Sequence, residues 1–227
     1  MASRHVALSQ DETGQHEPLG KVAGATILRS LGELLLLAVL TAAVPLIVYV
    51  DNALLGNEVS EYSVTEIAQE TLLLLSAILI FVQAWRHPEV RGFLVLVGGI
   101  FACMLIRELD FLCDMIHHGF WVYPALLTAA AALACAAVCR GTVLASLAAY
   151  TGTKSCIYMT IGLLIVLVLS RLFGSGHLIW SEFLATDHCK SLLKTVIQEG
   201  LELFGYVFVF YGSFLLTRTD TRQRESS

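Results

Sequence analysis

Residues 31–50 read LGELLLLAVLTAAVPLIVYV, with Glu33 the one acidic or basic side chain among them. The hydrocarbon core of a bilayer is crossed by a helix of roughly 20 mostly apolar residues. The stretch therefore predicts a transmembrane helix. Pro45 inside it is compatible with that reading, because neighbouring helices can satisfy the carbonyl that a proline frees.

Five further runs have the same character, at about 66–85, 92–114, 120–138, 156–173 and 193–217. Together they predict an all-α polytopic membrane protein, a bundle of about six transmembrane helices over 27–217. A flexible cytoplasmic tail (1–26) precedes it and a second tail (218–227) follows. The apolar stretch 142–150 is too short to span and reads as an interfacial or re-entrant turn. The N-terminus lacks an early apolar region and does not read as a cleavable signal, so the first helix is expected to direct insertion. Composition agrees: of 227 residues 56% are hydrophobic and 15% charged, against roughly 25% charged in soluble domains. No basic tract points to nucleic acid. The partners implied are the lipid bilayer and a membrane-protein partner or second copy of the chain. Gly98, Gly99 and Ala102 on the third run, and Ala130, Ala134 and Ala137 on the fourth, are small residues that allow close helix approach.

Lysine and arginine placement sets the orientation. With six spans, Arg4, Lys21, Arg29, Arg86, Arg91, Arg140, Lys154, Arg218, Arg222 and Arg224 share one side. Both termini are thus predicted cytoplasmic, and the expected location is the cell inner (plasma) membrane. The opposite side gathers Asp51, Glu58, Glu61, Glu66, Glu182 and Asp187, with His117, His118, His177 and His188.

Some ionisable groups lie within the runs. Cys103, Arg107, Asp110, Asp114 and His117 recur at helical spacing in the third, as do Thr195, Glu199, Glu202, Tyr206 and Ser213 in the sixth. A charge facing lipid costs a few kcal/mol even on lenient scales, so both stripes are expected to turn inward and meet. Arg107 is expected to pair with Glu199 or Glu202, with Glu70 a third candidate. The cluster expected to form comprises Glu70, Arg107, Glu108, Asp110, Asp114, Glu199, Glu202 and Tyr206. Its acids outnumber its single arginine, which favours a site that binds or senses a cation or proton over an ion-pair clasp between helices. A divalent metal such as zinc would draw on His117, His118, His188 and Asp114, residue types that suit it but at no specific spacing. Haem would need histidines facing one another within the bilayer, and these lie at or beyond its edge. No nucleophile has a histidine at its depth, so enzymatic activity is the less favoured reading. Cys113 and Cys189 fall on the outer side, where oxidation is allowed, and their pairing stays open.

The strings IRELDFLCD (106–114) and IQEGLELFGYVFVFYGS (197–213) resemble polar signatures of uncharacterised small bacterial multi-pass inner-membrane proteins, in which an Arg-Glu-x-Asp turn and a Glu-x-x-Glu-Leu-x-x-Tyr helix recur. A looser similarity is to the alkaline ceramidase superfamily, membrane hydrolases that gather His, Asp and Ser around zinc. That similarity implies a metal-dependent hydrolase acting on lipid head groups. The chain departs from the pattern where Glu199 and Glu202 stand in place of the paired histidines of the last helix. The third alternative is a structural subunit of a membrane complex.

Overall fold

The computed structural model of the chain describes residues 19–51, 63–175 and 187–225. Every regular element among them is helical: α1 (Leu19–Tyr49), α2 (Val64–Arg86), α3 (Arg91–Glu108), α4 (Asp110–Asp114), α5 (Val122–Val138), α6 (Leu144–Tyr150), α7 (Lys154–Gly174) and α8 (Asp187–Glu225). The chain divides into two compact units, 1–40 and 41–227. In the first, the helical residues Ile27, Leu28, Leu31, Leu34 and Leu35 are exposed. Apolar side chains displayed in this way suit a lipid environment rather than water.

Among the described residues, four helices are long and apolar enough to cross a membrane: Ile27–Tyr49, Val64–Arg86, Lys154–Gly174 and Thr195–Arg218. A fifth is added if Val122–Val138 and Arg140–Tyr150, bent by 87° at their junction, form one broken span. The short stretch after α5 is thus a separate helix turned sharply from it. The third run differs from expectation. Its helix stops at Glu108, with Leu109 as a non-helical cap, instead of continuing to Asp114. The 18 residues of α3 then hold Arg91, Arg107 and Glu108, and α3 is not among the helices that pass on length and composition.

In the second unit, α8 packs against α7 and α2, α2 against α3, and α3 against α5. The core between them holds Leu73, Ile80, Phe101, Val166, Tyr206 and Val209. The α3 glycines are contact points. A Cβ on Gly98 would meet the Phe81 ring at 2.9 Å, and one on Gly99 would meet the Ala132 methyl at 2.5 Å. Ala132, one turn from none of the alanines singled out by spacing alone, is the residue that α5 presents there.

Of the glycine contacts with a facing backbone, the closest lies between α7 and α8. A Cβ on Gly162 would stand 2.6 Å from the Gly205 carbonyl oxygen, and one on Gly212 2.9 Å from the Ser155 carbonyl oxygen. Ser155 Oγ also donates to the Gly212 carbonyl at 2.8 Å. Without hydrophobic driving force between helices in lipid, such backbone contact and interhelical hydrogen bonding carry association. Gly162→Val is expected to destabilise the folded state by about 1–3 kcal/mol through overpacking. Gly32→Ala in α1, where a Cβ meets nothing within 4 Å, is expected to stabilise by about 0.5–1 kcal/mol through helix propensity. Thermal unfolding of the purified variants in one detergent measures both.

Candidate functional site

The turn into α2 fixes where its polar face begins. Asp51 is fully buried, and its carboxylate accepts from the Val64 N–H at 2.8 Å, the Thr65 N–H at 2.7 Å and the Thr65 hydroxyl. Ser63 caps the same end by accepting from the Glu66 N–H at 3.1 Å. These bonds satisfy donors that a helix N-terminus otherwise leaves open. Asp51 is thus a structural cap rather than one of the outer loop acids with which its position grouped it. Glu58, Glu61, His177 and Glu182 lie outside the described residues.

One turn further along, Gln69 and Glu70 face α8 and α3. The amide of Gln69, which is 1% exposed, donates at 3.0 Å to both the carbonyl and Oε2 of Glu199. On α8 the next turn brings Glu202, 2% exposed. Its Oε1 accepts from Arg171 Nη2 at 3.1 Å, Ser170 Oγ at 3.2 Å and Gln198 Nε2 at 3.2 Å. A further turn brings Tyr206, fully buried, whose hydroxyl donates to Glu108 Oε1 at 2.7 Å. Arg107 Nη2 meets that same oxygen at 3.2 Å.

The inward stripe of α8 therefore exists and meets α2, α3 and α7. The expected pairing of Arg107 with Glu199 or Glu202 does not form. Arg107 pairs with its neighbour Glu108, while Glu202 is held by Arg171. The reason is local. Leu109 ends α3, so Arg107 sits in its last turn with its side chain 40% exposed, and the adjacent carboxylate satisfies it with little further burial. The buried carboxylate left on α8 takes the guanidinium from α7. Spacing alone pointed to Tyr206, Glu108, Glu199 and Glu202, and missed Arg171, Gln69, Gln198 and Ser170. Arg171 had a usable signal: it is a guanidinium at the end of an apolar run, where a carboxylate partner is required.

Glu108 lies within electrostatic reach of Glu70, Glu199 and Glu202, and Glu202 of Arg107. The described cluster thus sets four carboxylates against two guanidiniums. Such a set can bind a proton or a cation.

Asp110 and Asp114 do not join it. The break at Leu109 ends the stripe that Cys103 and Arg107 begin, and Cys103 Sγ lies 3.4 Å from the Ala125 carbonyl oxygen instead. Asp114 closes its own turn, with Oδ1 accepting from the Gly119 N–H at 2.8 Å and Oδ2 meeting His118 Nδ1 at 2.7 Å. Gly119 adopts φ 80°, a left-handed conformation that other residues rarely take. His117 and His118 are exposed. Among the described residues no three His, Cys, Asp or Glu side chains converge as a metal site requires. Of the zinc donors named by sequence, Asp114 and His118 touch, while the side chain of His188 lies outside the described residues, as does that of Cys189.

No protein-family model matches the chain, and no curated protein or solved structure matches it significantly.

The Asp114 carboxyl is held below the ordinary carboxylate range, first by the Gly119 N–H and then by His118. A lowered folded pKa means that the turn's stabilisation is present above the unfolded value and lost as pH falls through the folded one. The Gly119 amide resonance is expected to titrate with a midpoint below the value of about 3.9 for a free aspartate. A midpoint at or above that value contradicts the hydrogen-bond assignment.

Proposed function

We propose that the chain is a six-span protein of the cell inner (plasma) membrane, with both termini cytoplasmic. Its outer-facing carboxylate cluster binds a cation or proton and serves as a sensor or binding site, not as a catalyst. Six spans count α1, α2, α3, α5, α7 and α8. For α3, its 18 residues reach about 27 Å at 1.5 Å per residue, close to a hydrocarbon thickness of about 30 Å. Its charges sit at its two ends, Arg91 at one and Arg107 with Glu108 at the other, and it packs between α2 and α5. An even count places Arg86, Arg91, Arg140 and Arg218 together on the positive side.

One observation carries the functional reading. Among the described residues, Glu70, Glu108, Glu199 and Glu202 are gathered by α2, α3 and α8 around Arg107 and Arg171. In a medium that penalises unpaired charge, carboxylates in excess of guanidiniums favour a proton or a bound cation. The hydrogen bonds from Tyr206, Gln69, Gln198 and Ser170 hold Glu108, Glu199 and Glu202 in fixed positions, as a site needs. A helix clasp is the second reading, favoured by the Arg171–Glu202 contact. A lipid head-group hydrolase would need a third metal ligand from outside the described residues.

The test is proton and cation binding by the purified chain in proteoliposomes. Wild type is expected to take up protons as pH falls from 8 to 5, and Glu199→Gln and Glu202→Gln to take up fewer. Proton release on adding Na⁺ or Ca²⁺ at fixed pH marks the cation form of the site. Equal uptake by wild type and both variants removes the proposal and leaves the clasp. A separate expectation concerns the ion pair. Arg171→Met alone should destabilise by about 2 kcal/mol, less than for a wholly buried pair because Arg171 is 42% exposed. Arg171→Met with Glu202→Met should cost less than the single change, as read by thermal unfolding.

A further inference from the structure

The turn from α2 to α3 and the bend from α5 to α6 carry arginines that the fold brings to one edge. Arg91 folds back along its turn. Its Nε donates to the Ala84 carbonyl at 3.0 Å and its Nη2 to the Trp85 carbonyl at 3.4 Å. The guanidinium thus lies against the end of α2, where Arg86 is exposed. The next residue, Gly92, donates its N–H to Thr142 Oγ1 at 3.0 Å, and a Cβ on it would stand 2.8 Å from the Cys139 carbonyl oxygen. Arg140, also exposed, lies between those two partners in the chain. One close backbone contact therefore gathers Arg86, Arg91 and Arg140. Residues 86–91 and 139–154 contain one acid, Glu89, and its Oε1 lies 2.9 Å from His87 Nδ1. The edge is cationic.

The side chains beside these arginines are bare hydrocarbon. Trp85, Val138 and Leu144 are each at least 76% exposed. Val138 and Leu144 flank Arg140 on either side of an 87° bend. With α5 crossing the bilayer, that bend lays α6 along the membrane surface. An arginine stem can lie on hydrocarbon while its guanidinium stays at head-group level, and tryptophan favours the same level. A water-soluble anion would use the guanidiniums and leave the apolar side chains bare. A lipid without net charge would cover the apolar side chains and leave the excess positive charge unmatched. A molecule with an anionic head and acyl chains matches both.

We propose that this edge binds an anionic phospholipid of the adjoining leaflet, its phosphate among Arg86, Arg91 and Arg140 and its acyl chains against Trp85, Val138 and Leu144. The proposal rests on the membrane location of the chain and not on what the carboxylate cluster holds, so a loss of proton uptake leaves it standing.

The experiment is native mass spectrometry of the purified full chain in detergent, with equal amounts of phosphatidylglycerol and phosphatidylcholine carrying the same acyl chains. Wild type is expected to retain phosphatidylglycerol in preference. Arg86→Gln and Arg140→Gln should each lower the ratio of the two lipids about fivefold. Both side chains are exposed, so the unfolding temperature should hold. Excess glycerol phosphate, a head without chains, should displace no bound lipid. Equal retention of the two lipids by wild type overturns the proposal, as does an unchanged ratio in the folded double variant. Displacement by glycerol phosphate overturns it in favour of a soluble anion. A fall of the same size in Arg29→Gln, which lies in the first unit, overturns it in favour of a response to net charge alone.

Discussion

The contact of α7 with α8 at backbone distance governs the polar chemistry at one end of the bundle. Gly162 and Gly205 remove the side chains that would hold the two helices apart. From that crossing, Glu202 lies three residues back along α8 on the same face, and Ser170 and Arg171 lie about two turns on along α7. The side chains therefore meet without stretching, and Glu202 Oε1 collects three donors within 3.2 Å. A larger residue at either glycine would move one helix outward and open this set. Packing and electrostatics are coupled here: the small residues set the distance over which the buried charge is compensated.

The same logic explains why α3 ends where it does. A continuous helix to Asp114 would carry Arg107, Asp110 and Asp114 down a single face, with one cation against a column of acids. Ending the helix at Glu108 divides that column. Arg107 and Glu108 stay with Tyr206 on the bundle side, and Asp114 turns back to cap Gly119 and meet His118. Glu108 and Asp114 thus find local partners, as buried or half-buried polar groups must.

What the sequence revealed follows from which forces act along the chain and which act across it. The apolar runs are a property of consecutive residues, so the helical membrane architecture was legible from residues 31–50 outward. So was the α8 stripe, because Glu199, Glu202 and Tyr206 share a face by helical spacing alone. Partner choice was not legible. Arg107 takes Glu108 instead of a distant acid because the helix stop at Leu109 lies between them and the continuation of the stripe. Arg171 was hidden for the opposite reason: it stands alone in its run, with no periodic companions to mark its face. Asp51 reads as a loop acid in one dimension and becomes a buried cap only when Thr65 is brought back against it.

The two ends of the second unit handle buried polarity in opposite ways. At the carboxylate end, charge is abundant and donors are supplied from four helices, including amides and hydroxyls with no charge of their own. Among the described residues, four carboxylates there face two guanidiniums. At the other end the Tyr150 hydroxyl meets Ser155 Oγ and the Met159 sulfur, and Ser155 Oγ donates to the Gly212 carbonyl across the α7–α8 contact. Buried polarity is therefore compensated through charge at one end and through neutral hydrogen bonds at the other, as the desolvation cost of each kind of group requires.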